Sequence, residues 1–187
     1  MLTTRIIDRP EKDRYNSFVR SHPQGHFLQT WEWGEVKRGM GWEPLPMVLE
    51  EDGEIRGSML ILRRRLPLPG INRGIFYSPR GPVVDTDNEQ LCQALFTGAE
   101  RIARAQGAIF LKIDPAVPFD EEGFRKILSQ NEFHRNDTGM DFEGVQPAFV
   151  FQLDIRPAAS QLLANMHAKT RYNIKLAQKK GVTIRTA

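Results

Sequence analysis

EPLPMVLEEDGEIRGSMLILRRRL, residues 43–66, reads as two β-strands folded back on each other around Asp52 and Gly53. An Asp-Gly pair between alternating apolar residues is the strongest short-range hairpin signal, because both turn positions need the left-handed backbone that these residues tolerate. Working outward, TTRIID (3–8) suggests a short strand and PEKDRYNSFVRS (10–21) a helix, with Pro10 at the permitted first-turn position. Thr30 is placed to cap a second short helix, WEWGEVKRG (31–39). Downstream, IFYSPRGPVVD (75–85) supplies a strand ending in a Pro- and Gly-bearing segment. Leu91, Leu95, Ala99, Ile102 and Ala103 recur at helical spacing, which predicts an amphipathic helix over residues 88–106. AIFLKIDP (108–115) is a mostly apolar run expected to be a buried strand stopped by Pro115. A helix over DEEGFRKILSQ (120–130), a strand at FVFQLDI (149–155), a helical region from about 157 to 180 and a last strand, VTIRTA (182–187), complete the reading.

The order of strand, two helices, hairpin strands, helix, strand, helix and strand matches an acetyltransferase-like α/β fold, a mixed sheet flanked by helices. FVFQLDI followed by helices resembles the opening TTRIID followed by helices. The domain expectation is therefore one such domain over residues 1–147 and the incomplete start of a similar one over 148–187, with the chain a fragment of a longer protein.

The bulk composition is that of an ordinary folded domain, with 40% hydrophobic and 26% charged residues. The charge is unevenly distributed. Residues 1–154 hold nineteen Lys and Arg against 23 Asp and Glu, net −4, whereas the last 33 residues hold seven bases and no acid, net +7. That end is either a solvated basic face or a surface that meets an anion. The single cysteine, Cys92, excludes an intramolecular disulfide; in its apolar helical setting it reads as a buried structural thiol. The start has no apolar signal-peptide core, and no run of 18 or more apolar residues occurs, so a cytoplasmic location is expected, with peripheral contact to a membrane-borne substrate left open.

Four stretches in order, GHFLQTWEWGEVKRGMGWEP (25–44), YSPRGPVVD (77–85), FLKIDP (110–115), and QPAFVFQLDI (146–155) with HAKTRYNIKLAQKKGV (167–182), resemble the Fem family of peptidoglycan bridge-forming aminoacyltransferases. The resemblance implies transfer of an amino acid from aminoacyl-tRNA to a stem-peptide amine of a nucleotide- or lipid-linked peptidoglycan precursor. Such ester aminolysis needs an uncharged amine, a proton acceptor and donors for the developing oxyanion, and no metal or redox cofactor.

Carried over residue by residue, the resemblance makes Lys37 a ligand for the precursor's diphosphate and Asp114 a carboxylate near the substrate peptide, as proton acceptor or hydrogen-bond anchor. Arg80 with Tyr77 becomes a clamp for phosphate or carboxylate. Each has a plain alternative: a surface lysine, an Asp capping a turn, a constrained loop. Ile109 stands where some relatives carry a substrate-contacting tyrosine, so that contact is not carried over. Arg171, Lys175 and Lys179, spaced by four residues, share one helical face with Lys169 beside it, a stripe suited to tRNA or precursor phosphates. Tyr172 is expected to pack inward, and Trp31, Trp33 and Trp42 to pack a helix onto its sheet.

Two other classes stay open. An acyl-coenzyme A N-acetyltransferase would share the fold but should show an Arg/Gln-x-x-Gly-x-Gly/Ala loop opening a helix, and the glycines around residues 70–81 lack that spacing. A non-catalytic module binding tRNA or an anionic precursor through the basic end is the other.

Overall fold

A computed structural model describes residues 1–67, 70, 72–118, 121–134, 150–151 and 153–185. The chain divides into two compact units, residues 1–139 and 140–187.

In the first unit, β1 (Leu2–Ile6) leads through a 3-10 turn at Arg9–Glu11, which contains Pro10, into α1 (Lys12–Ser21). A second 3-10 turn, Phe27–Gln29, precedes α2 (Trp31–Arg38), which Thr30 caps by accepting the Trp33 N–H at 3.3 Å. Then follow β2 (Glu43–Glu51), β3 (Glu54–Arg65), β4 (Gly74–Arg80), β5 (Val83–Val84), α3 (Glu89–Ala105), β6 (Ala108–Pro115) and α4 (Glu122–Gln130). The sheet order is β1-β2-β3-β4-β6, with β5 also on β3; β4 and β6 run parallel and every other pair is antiparallel. This is the mixed, helix-flanked sheet expected from the element order.

The hairpin turn forms as its Asp-Gly pair dictates: Asp52 (φ 51°) and Gly53 (φ 85°) both take the left-handed conformation. Strand alternation then sorts the core. Met47 and Leu49 of β2, Met59 and Ile61 of β3, and Phe76 of β4 pack with Leu91, Cys92, Leu95, Phe96, Ala99 and Ile102 of α3 and Phe124 and Ile127 of α4. Val48, one residue out of phase, joins Ile7, Tyr15 and Val19 in a smaller cluster against which Trp31 packs. Asn88 caps α3 by accepting the Leu91 N–H at 3.1 Å. Cys92 is fully buried, and desolvation, reinforced by Asp85, Asp87 and Glu89, pushes its thiol up to about 11.

Four expectations need correction. IFYSPRGPVVD forms two strands, because Pro82 has no N–H to continue a ladder and the chain turns at Arg80 (φ 54°). AIFLKIDP is a strand but not a buried one: among the described residues β6 pairs with β4 alone, and Ile109 and Phe110 are 54% and 52% exposed. The register step from Gly74↔Ala108 to Ile75↔Phe110 leaves Ile109 as the extra residue of a bulge. In FVFQLDI the described residues 150–151 and 153–155 form no strand, the remainder lying outside the described residues. Residues 182–185 of VTIRTA likewise form none. A strand exists only through its ladder, and among the described residues no strand pairs with either segment.

In the second unit the helical region is two helices, α5 (Ala159–Asn165) and α6 (Ala168–Lys179), interrupted by extended backbone at Met166 and His167.

Candidate functional site

The parallel pair β4 and β6 ends in step, with Pro79 opposite Asp114 and Arg80 opposite Pro115. Tyr77, two residues before Pro79, is a diagonal same-face neighbour of Asp114, and its hydroxyl donates to Asp114 Oδ2 at 3.4 Å. Regular alternation would turn Arg80 to the opposite face. Its left-handed backbone breaks that alternation, and the guanidinium Nη1 lies 4.0 Å from Asp114 Oδ1, the two side chains 17% and 27% exposed. A non-glycine residue in this conformation is a strained position of the sort that clusters at functional sites. Three of the residues singled out in the sequence, Tyr77, Arg80 and Asp114, thus meet at the carboxyl ends of two parallel strands, where open α/β sheets hold their ligands.

A run of rings leads from Lys37 to His26, whose titration the charges of this cluster influence. Its Nζ lies over the Trp33 indole, 4.9 Å from the centroid. Trp33 meets Phe27 edge-on at 5.9 Å, and Phe27 stacks on His26 at 4.7 Å. His26 in turn feels the charges of both Arg80 and Asp114. Burial first, and Arg80 next, hold the His26 imidazole below its ordinary value, with Asp114 opposing. Its Nδ1 accepts the Leu28 N–H at 3.1 Å, so the neutral ring carries its proton on Nε2 and offers a donor. Trp42 stands apart, under the Arg64 guanidinium at 5.6 Å.

Two residues at this site were not singled out in the sequence. His26 and Gln29 both lie inside GHFLQT, whose one local signal is the Thr30 cap. Gln29 is fully buried and spends its whole amide on the sheet: Nε2 donates to Ser78 Oγ at 3.2 Å and to the Pro79 carbonyl at 2.6 Å, while Oε1 accepts the Leu60 N–H at 2.8 Å. The available signal was a glutamine immediately after a Phe-Leu pair and before a helix cap, a polar residue carried into the core.

In the second unit Lys169, Lys175 and Lys179 are exposed on α6. Arg171 differs, since its guanidinium donates to the Ala164 carbonyl at 3.0 Å and to that of Met166, closing the end of α5. Tyr172, expected to pack inward, is 63% exposed. Among the described residues no group of three or more His, Cys, Asp or Glu is placed to hold a metal ion, and no helix is long and apolar enough to cross a membrane.

A mixed sheet of this order, with charged and aromatic groups at its parallel end, defines the acetyltransferase-type α/β class. Two acetyltransferases share the fold at low identity: one from Trypanosoma brucei (TM-score 0.51, 15% identity, 75% of this chain and 97% of that one) and a ribosomal-protein-alanine N-acetyltransferase from Brucella melitensis (0.51, 14%, 82% and 100%). The crystal structure of FemX is more similar, with TM-score 0.77 and 28% identity over 99% of this chain and 46% of that one. Residues 11–187 match the FemAB family, and the chain belongs to it. A lipid II:glycine glycyltransferase of Staphylococcus aureus is 31% identical over 174 residues, 91% of this chain and 41% of the relative. The chain thus spans less than half the length of the glycyltransferase and of FemX.

Proposed function

We propose that this chain works in the transfer of an amino acid from aminoacyl-tRNA to the stem-peptide amine of a peptidoglycan precursor. The observation that carries the reading is the convergence of Tyr77, Arg80 and Asp114 at the ends of β4 and β6, in a chain of the FemAB family. In the transfer, the amine nitrogen attacks the aminoacyl ester carbon, an amide C–N bond forms, the C–O bond to the tRNA ribose breaks, and the nitrogen sheds a proton as the ribose oxygen gains one. Asp114 receives or orients the amine N–H, with Tyr77 fixing one carboxylate oxygen and Arg80 lying beside the other. Lys37, as a mobile point charge, holds the precursor's diphosphate, and the aromatic run from Trp33 to His26 offers the surface between the two ends. Exposed Lys169, Lys175 and Lys179 on α6 meet tRNA or precursor phosphate. Because S. aureus relatives are lipid II:glycine glycyltransferases, glycine and lipid II are the first donor residue and acceptor to test.

The deciding experiment is an aminoacyl-transfer assay with charged tRNA and a lipid- or nucleotide-linked muropeptide, set beside filter binding of tRNA across salt and a coenzyme A titration. Amide product that depends on charged tRNA supports the reading. Salt-sensitive tRNA binding with no transfer points to a binding module, and saturable coenzyme A binding points to acyl-coenzyme A chemistry; either result overturns it.

A further inference from the structure

Among the described residues, the middle of β3 has no ladder partner on one side. Its ladder with β4 ends at Leu62↔Tyr77, and its ladder with β5 begins at Ser58↔Val83. Between them residues 59–61 face the stretch 78–82, which is two residues longer and carries the left-handed Arg80. β3 is buried here, with Met59, Leu60 and Ile61 almost wholly enclosed, so the backbone groups freed by the gap have no water to turn to.

Gln29 occupies that gap. The Leu60 N–H, which a continuous sheet would pair with β4, donates instead to Gln29 Oε1, and the Pro79 carbonyl, which a continuous sheet would pair with β3, accepts from Gln29 Nε2. The primary amide has the same donor–acceptor pair as a peptide group, so it can replace one rung on both sides at once. The fit is tight: a Cβ added at Gly81 would come within 2.3 Å of Ser78 Oγ and 2.8 Å of Gln29 Nε2.

We propose that Gln29 is a positioning residue: its side-chain amide stands in for a missing rung between β3 and β4, and so holds β4 open where Arg80 swings over Asp114. Gln29 touches no reacting group in this scheme and acts through Arg80. Without the amide, β4 has either to close on β3, drawing Arg80 away from Asp114, or to leave the Leu60 N–H and Pro79 carbonyl unpaired in the core. The structural half of this inference stands on the geometry; its consequence for transfer rests on the function proposed above.

The test begins with the Arg80 Nε–Hε cross-peak in 1H–15N spectra of the full chain, assigned by its loss in Arg80→Lys. In Gln29→Met, of similar size but without the amide, the Arg80 peak should move while the Arg63 peak stays in place. Gln29→Glu is the second variant should the Met protein fail to fold, since it keeps an acceptor for Leu60 and, when ionised, loses the donor to Pro79. An unmoved Arg80 peak in a folded variant overturns the proposal, whatever the protein catalyses. In the transfer assay, Gln29→Met should lower kcat/KM about as far as Arg80→Lys, and the double variant should fall no further than a factor of about two below either. Losses that multiply in the double variant mean that Gln29 acts independently of Arg80 and also overturn it. Should Arg80→Lys leave transfer unchanged, the proposed reaction fails at Arg80, while the spectra still decide for or against Gln29.

Discussion

Replacing Lys37 by Met separates phosphate binding from scaffolding. In the free protein the ammonium contributes a contact with the Trp33 ring at 4.9 Å, worth about 0.5–1 kcal/mol at an accessible site, and a favourable position in the last turn of α2, worth about 0.3–1 kcal/mol. Methionine keeps the stem and returns part of this through its sulfur, about 0.3–1.5 kcal/mol against an aromatic ring. The net cost is therefore about 1 kcal/mol or less, which for a chain of this size lowers Tm by about 2–4 °C. Loss of one charged hydrogen bond to a diphosphate costs about 1.5–3 kcal/mol, a weakening of roughly 10- to 150-fold in Kd. Calorimetric titration with a nucleotide-linked muropeptide measures the second quantity and a thermal melt the first. The variant should also show a shallower dependence of affinity on salt. A Kd within twofold of the wild type refutes the assignment of Lys37 to phosphate, and a melt that collapses together with binding shows the lysine to be a scaffold residue.

Gly98 of α3 lies against β1, where an added Cβ would fall 2.2 Å from Thr4 Oγ1 and 2.5 Å from Thr4 Cβ. Gly98→Ala gains about 1 kcal/mol of helix propensity but forces an overlap costing about 1–3 kcal/mol, so a chemical-denaturation midpoint should fall, and Thr4→Gly in the same chain should recover part of it. Acid should destabilise the protein in two stages, measured as Tm against pH. His22 and His26, whose Nδ1 atoms accept backbone N–H groups and which burial first of all keeps below the ordinary 6.5, protonate more readily in the unfolded chain, so stability falls as pH drops from about 6.5 through their folded values. Glu11 and Glu50, held below the ordinary 4.5 chiefly by hydrogen bonds from Arg5, contribute stability that is complete above that value and lost as pH falls through their lower folded values; His22→Gln with His26→Gln should erase the first stage alone. Cys92, buried with its thiol at about 11, should resist an aromatic disulfide reagent at pH near 8 in the native state and react fully on denaturation.

What was legible in the sequence was what neighbouring residues settle among themselves. The Asp52 and Gly53 turn, the Thr30 cap and the amphipathic helix after Asn88 are local devices, and each forms where its residues predict. Burial of β6 was not local: an apolar run states that a strand has apolar side chains, but only the sheet order of the described residues shows it paired on one side, with Ile109 and Phe110 in the open. The same limit explains FVFQLDI and VTIRTA, whose β-branched and aromatic residues suit a strand that needs a partner to exist. At the candidate site, Tyr77, Arg80 and Asp114 stand out through the family resemblance, to which the place of Asp114 before Pro115 adds a strand end. Gln29 gave only the faint signal of a glutamine beside a Phe-Leu pair, because its importance comes from a gap in a ladder between segments about 30 and 50 residues further along.

That gap also bears on how α2 is placed. Five consecutive residues take part, beside Asn16 of α1, whose side chain accepts the Trp31 N–H at 2.9 Å. His26 closes the start of the 3-10 turn through Leu28, Gln29 pins the turn between β3 and β4, and Thr30 caps α2 one residue later. The start of α2 is therefore referenced directly to the strand segment that carries Arg80, and α2 is only eight residues long, ending one residue after Lys37. Over two turns of helix little error accumulates, so residues 26–30 tie the phosphate-binding end proposed for Lys37 to the strand end beside Asp114, in addition to the packing of Trp31 on the smaller core cluster and the β4–β6 ladder that places Asp114. A loosened pin should then perturb both ends together, whereas a substitution within either end should leave the other as it was.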